Sequence, residues 1–313
     1  MTGRPRPAAS LDEMRGLIAA APAPDAESGR AALAAARASG APDDPAHAAV
    51  RRLAEAQGCY PPRLERPRIA LFAAAHGIAR AGAAAPRPGL AEAIEAVLER
   101  RAPVVGAAEA IDADLRLYEL GWPRPCGDIA REPAMAEDAC AAAMAYGMMA
   151  VDDTVDLVCL SALGDEGAIA AAALGLALYG GRAEDWAGAE AAPLVRTAAA
   201  RHAGTGADAL ELLRRLGGED VAAIAGAVVA ARFARVPVIL DGSVALAAAG
   251  VLKRAAADAL DHCFVTGYDG APASQGFAAV LTLPAAPEAV AGDAGVFAVL
   301  GLRAALSRHL ATS

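Results

Sequence analysis

The sequence predicts an α/β fold: a parallel, Rossmann-like sheet with helices on both faces, plus a smaller helical domain from the N-terminal region and the C-terminal helix. Three observations predict it. Short apolar runs rich in β-branched residues alternate with long Ala-rich stretches. One stretch, Val155–Gly181 (VDLVCLSALGDEGAIAAAALGLALYGG), joins both patterns through a Gly-containing turn. Gly-bearing turns, His76–Gly77, Gly164–Gly167 and Asp241–Gly242, each follow an apolar run, where the carboxyl ends of parallel strands share one edge and ligands bind.

Taken in order, the chain begins with a Pro/Ala-rich segment in which Leu11–Ala20 and Arg30–Ser39 read as short helices, and Pro45–Gln57 as a stronger one. Arg68–Ala74 (RIALFAA) is the first buried strand, with Ile69–Ala73 at its centre, and it ends at His76–Gly77. Gly89–Arg101 is an amphipathic helix, Pro103–Ala108 the start of another, and the alternating Ile111–Leu120 a strand. Glu137–Val151 is helical, its methionines serving as core filler. Val155–Leu160 is a strand and Ala168–Tyr179 a helix, because Ala loses no side-chain entropy on becoming helical. Gly181–Ala192, with Trp186, reads as a loop. Helices follow at Pro193–His202, Asp208–Leu216 and Asp220–Arg235, the second ended by Gly217–Gly218. Val236–Leu240 and Cys263–Thr266 are strands on either side of the helix Val244–Ala257, GYDGAPASQG (Gly267–Gly276) is a loop, and Val296–Leu310 is the last helix. The expected division is 1–60 as N-terminal helical region, 61–285 as α/β core and 286–313 as the C-terminal helix packing with the small domain.

Composition narrows the function classes. Hydrophobic residues make up 56% of the 313-residue chain but aromatics only 4%, so the core must be built from Ala, Val, Leu and Ile in closely packed helices. A net charge of −9, with Lys253 the only lysine, argues against nucleic acid as a partner. The five cysteines are scattered without a CxxC pair, which suggests reduced thiols in the cytoplasm and neither a disulfide frame nor a zinc site. No apolar run is long enough for a bilayer, no signal peptide is visible, and no membrane partner is expected. No GxGxxG follows a strand, so a dinucleotide is disfavoured; neither metal nor cofactor is expected.

Five stretches in order carry a family resemblance: RPRIALFAAAHGIARAG (Arg66–Gly82), GDIAREPAMAEDACAAAMAYG (Gly127–Gly147), the central turn, RLGGEDVAAIAGAVVAA (Arg215–Ala231) and VPVILDGSVALAAA (Val236–Ala249). They are similar to the nicotinate-nucleotide–dimethylbenzimidazole phosphoribosyltransferases of cobalamin lower-loop synthesis, over about residues 50–285. The resemblance implies a cleft lined by His76, Gly77, Gly164, Gly167, Gly217, Gly218 and Gly242. It implies nicotinate mononucleotide and an azole base as substrates, and a homodimer. The departures are local. Ala75 stands at the family's Asp, and Ile169, Ala170, Ala171 and Ala172 replace the Gly-Asn-Thr-Thr of its phosphate turn. Aligned through GLRAALSRHL, Leu306 falls where the family has the Glu that deprotonates the benzimidazole, and Glu288 and Asp293 lie just upstream. Asp165, Glu166 and Asp241 remain as candidate catalytic carboxylates. Two functions are therefore expected: phosphoribosyl transfer to a benzimidazole-type base, or, as the alternative, a catalytically degenerate member serving as a binding or regulatory subunit, on its own or paired with an active paralogue.

Overall fold

The structure, a computed structural model, describes residues 10–38, 44–78, 89–121, 123–164, 167–205, 208–267, 270–288 and 291–312. Helices α1 (Leu11–Ala19), α2 (Ala26–Ala38) and α3 (Pro45–Gln57) precede strand β1 (Pro67–Ala74). Then come α4 (Gly89–Leu98), α5 (Pro103–Ala110), β2 (Asp114–Leu120), α6 (Glu137–Met148) and β3 (Leu157–Ala162). The helices α7 (Ala168–Tyr179), α8 (Ala183–His202, interrupted at Gly188), α9 (Ala209–Leu216) and α10 (Glu219–Ala234) lead to β4 (Val238–Asp241). The chain ends with α11 (Gly242–Ala255), β5 (Cys263–Val265), α12 (Pro272–Leu281) and α13 (Val296–Thr312).

Among the described residues the strands form one sheet in the order β2-β1-β3-β4-β5, every neighbour parallel. Each sequence run expected to be a strand is one, and the ends are trimmed for physical reasons. Asp156 leaves β3 because its carboxylate accepts the Glu65 and Arg66 amides. Pro237 has no N–H for a ladder, so pairing starts where Val238 N donates to His262 O. β2 is the alternating, half-exposed edge, whereas β1 is buried along its whole length.

The period-two alternation of the strands separates two cores. Ala70, Phe72, Val158, Leu160, Val238 and Leu240 face one side, under α6, α7, α10 and α11. Ile69, Leu71, Leu157, Cys159, Ile239 and Phe264 face the other, with Leu53 of α3 and Val299 and Leu302 of α13. α13 is tied to α3 by a buried contact between His47 Nδ1 and His309 Nδ1 (2.6 Å), and Tyr60 Oη lies 2.9 Å from His309 Nε2. Helices thus cover both faces.

Two segments expected to be loops are helical. α8 starts at Ala183 because Trp186 folds back, donating Nε1–H to Gly180 O and packing its ring 5.0 Å from Phe277. That same contact holds α12, which Pro272 opens within the GYDGAPASQG stretch.

Candidate active site

The carboxyl edge of the sheet opens into a cavity of about 510 Å³. Its floor comes from Leu71 of β1, Ser161 and Ala162 of β3 and Asp241 of β4. One wall is aliphatic, with Pro103, Val104 and Ala107 of α5 beside Leu163. Opposite it are Gly164 and Ala168 before and in α7, the start of α11 at Gly242, Ser243 and Val244, and the turn Gly292–Ala294 before α13. No arginine or lysine lines it among the described residues.

α7 and α11 both start at this cavity, and among the described residues neither has a side-chain hydrogen bond capping its first amides. Helix amides with no internal acceptor, reinforced by the helix dipole, attract an anion. β4 can turn straight into α11 because Gly242 has φ 82°, the left-handed region that favours glycine.

The two carboxylates on the cavity differ in what they have left to offer. Asp241 is 3% exposed. Its Oδ1 accepts from Thr266 Oγ1 (2.7 Å) and Gly292 N (3.0 Å), and its Oδ2 from Ser161 Oγ (3.2 Å) and Ala294 N (3.1 Å). A carboxylate has about four lone-pair sites, so this one is saturated. Burial pushes the Asp241 pKa up, and the Thr266 and Gly292 hydrogen bonds oppose that rise. Asp293 is half-buried and accepts one bond on each oxygen, from Gly295 N (2.8 Å) and Phe297 N (2.7 Å) at the start of α13. About half of its lone-pair sites remain open to the cavity.

The sequence-predicted residues separate into two groups along one sheet edge. Gly164, Asp241 and Gly242 line the cavity. His76, Gly77, Gly217 and Gly218 follow β1 or join α9 to α10 and do not line the cavity; His76 and Gly218 belong to a neighbouring polar knot instead. There His76 Nε2 lies 2.9 Å and 3.0 Å from the two oxygens of Asp220. Gly218 is needed for this approach, since a Cβ there would run into the His76 ring. Gly167 bridges the groups as the residue capping α7; a Cβ on it would sit 3.1 Å from Asp220 Oδ2 and 3.3 Å from His76 Nε2. Asp165 and Glu166 lie outside the described residues.

Two expectations drawn from the aligned motifs are corrected. Leu306 lies well inside α13, packed beside Ala46, Val50 and Ala305, and does not line the cavity. The carboxylate of the C-terminal segment that does is Asp293, which precedes the helix, whereas the aligned motif points within it. Ala170, Ala171 and Ala172 are buried among the helices under the sheet, so their missing hydroxyls bear on packing and not on the cavity. Sequence reasoning misses Ser243, because a lone Ser after Asp-Gly carries no pattern; only the placement of α11 brings it to the cavity. Among the described residues no cluster of His, Cys, Asp and Glu could hold a metal ion, all five cysteines are free, and no helix is long and apolar enough to cross a membrane.

Comparison with known proteins gives a consistent picture. A phosphoribosyltransferase family model matches residues 47–288. A nicotinate-nucleotide–dimethylbenzimidazole phosphoribosyltransferase from Sinorhizobium fredii is 40% identical over 279 residues, covering 84% of this chain and 81% of that protein. The enzyme of the same name from Rhizobium meliloti is 40% identical over 272 residues, 82% of this chain and 79% of that one. The crystal structure of CobT from Thermus thermophilus superposes with a TM-score of 0.78 at 25% identity, covering 89% of this chain and 96% of that one. With the family model spanning most of the chain and relatives at this identity, the chain belongs to the nicotinate-nucleotide–dimethylbenzimidazole phosphoribosyltransferase family.

Proposed function

We propose that this chain transfers phosphoribose from nicotinate mononucleotide to a benzimidazole-type base, with release of nicotinate, and that Asp293 is the proton acceptor. The observation that carries the reading is the pairing, in one cavity, of an unsaturated carboxylate with helix N-termini that have no side-chain cap among the described residues. The phosphate would lie against the first amides of α7 and α11 and the Ser243 hydroxyl. The base would lie against the aliphatic wall of α5 and Leu163, where flat apolar rings lose contact with water.

The lone pair of one azole nitrogen attacks the ribose C1. The bond from C1 to the pyridine nitrogen breaks, its electrons leave with nicotinate, and the N–H proton of the other azole nitrogen passes to Asp293. A carboxylate in this role contributes about 10² to 10⁴ in rate. Asp241 is less suited, because its acceptor sites are filled by the protein itself. No observation favours the catalytically degenerate alternative, which rests on Leu306 and the alanines of α7.

A homodimer and a cytoplasmic location belong to the same proposal. The free cysteines fit a reducing compartment. Exposed Phe297, Leu300 and Leu310 of α13 are apolar surface for a partner copy.

The test is direct. The purified chain, given nicotinate mononucleotide and excess dimethylbenzimidazole, should release nicotinate and form the phosphoribosylated base, detected by chromatography and mass. Absence of product at high enzyme concentration, with the protein shown to be folded, would overturn the reading.

A further inference from the structure

We propose that Asp241 is a positioning residue: its carboxylate holds the Gly292–Ala294 turn across the strand tips and so sets where Asp293 meets the substrate. The inference rests on the reading of Asp293 as the proton acceptor.

The geometry supplies a hydrogen-bonding group from each element that has to be brought together, with Asp241 as the acceptor. Ser161 is at the end of β3, Asp241 at the end of β4, and Thr266 follows β5. Their side chains meet on one buried carboxylate. The two remaining donors are the amides of Gly292 and Ala294, which flank Asp293 in sequence. Each oxygen takes one hydroxyl from the sheet and one amide from the turn, so the carboxylate is fixed in its plane before it fixes the turn.

The hold also begins earlier along the segment. Val265 N donates to Pro284 O (3.0 Å) and Ala286 N to Val265 O (2.9 Å), which lays residues 284–286 against β5. Downstream, the Asp293 carboxylate caps α13. The turn is therefore pinned at three places, and Asp241 grips the backbone on both sides of Asp293. Misplacing a reacting group by about 1 Å is enough to cost about a hundredfold in rate.

A structural residue and a positioning residue separate in a double-mutant cycle, provided the amides are also observed. In Asp241→Asn one oxygen becomes an NH₂ that faces one of the two amide donors, so at least one of the Gly292 and Ala294 amides should lose hydrogen-exchange protection. Its kcat should fall about a hundredfold with the KM for nicotinate mononucleotide changed by less than about threefold. In an Asp293→Asn background the same substitution should cost little further kcat, because it acts only through Asp293. Equal kcat losses in both backgrounds would overturn the proposal, as would unchanged protection of the two amides. Should Asp293→Asn alone keep full activity, it is the assignment of the proton acceptor that fails. The exchange measurement then still decides whether Asp241 holds the turn.

Discussion

His76 Nε2 lies 2.9 Å from Asp220 Oδ1, and both side chains are shut away from solvent at the carboxyl end of β1. Burial pulls the His76 pKa down. The Asp220 charge and hydrogen bond, helped by Cys126, outweigh it and hold the pKa well above 6.5. A folded-state pKa raised in this way contributes stability that is fully present below about pH 6.5 and is lost as pH rises through the folded value. Asp220→Asn should therefore cost about 3–5 kcal/mol near pH 6, with a smaller cost at alkaline pH. Urea unfolding of both proteins across that range measures the gap, and a gap that does not change with pH would contradict the ion pair.

Removing the Asp293 carboxylate should affect rate more than binding. Asp293→Asn keeps an oxygen for capping α13 but cannot take the azole proton. The expected kcat falls by about 10² to 10⁴, with the KM for nicotinate mononucleotide nearly unchanged. Full turnover in this variant would move the proton acceptor elsewhere.

Ser243 should act on the other substrate property. A charge-assisted hydrogen bond to phosphate is worth about 1.5–3 kcal/mol. Ser243→Ala should raise the KM for nicotinate mononucleotide at least about tenfold while leaving kcat within about threefold. An unchanged KM would place the phosphate away from α11.

Packing gives a prediction whose sign differs from the one local propensity supplies. Gly226 in α10 faces the backbone of Met144 in α6, and Gly147 in α6 faces that of Ala223, each too close for a Cβ. Helix propensity alone would have Gly226→Ala stabilise by about 1 kcal/mol. Because the obstacle is backbone, the helices must part, and overpacking of about 1–3 kcal/mol or more decides the outcome. Gly226→Ala should lower the urea midpoint; a rise would show that the two helices separate at little cost.

The class of fold and the order of its strands along the chain were readable in the sequence, because a buried parallel strand leaves a short apolar run and an Ala-rich helix leaves a long one. The runs around Ile69, Leu157, Val238 and Cys263 became strands for that reason. So was the shared edge of His76, Gly164 and Asp241, since parallel strands end on one side. What only the tertiary structure decided was how that edge divides. The approach of His76 to Asp220 spends His76 on a polar knot, across 144 positions of sequence. Asp241 is saturated by donors that lie 25, 51, 53 and 80 positions away. Asp293 reaches the cavity because that carboxylate grips the turn around it. Motif alignment places the missing Glu at Leu306, since it is anchored on the Leu302–Arg303 pair, which lies inside α13. Only long-range hydrogen bonds, which leave no periodicity in a sequence, bring the turn before α13 onto the tips of the sheet.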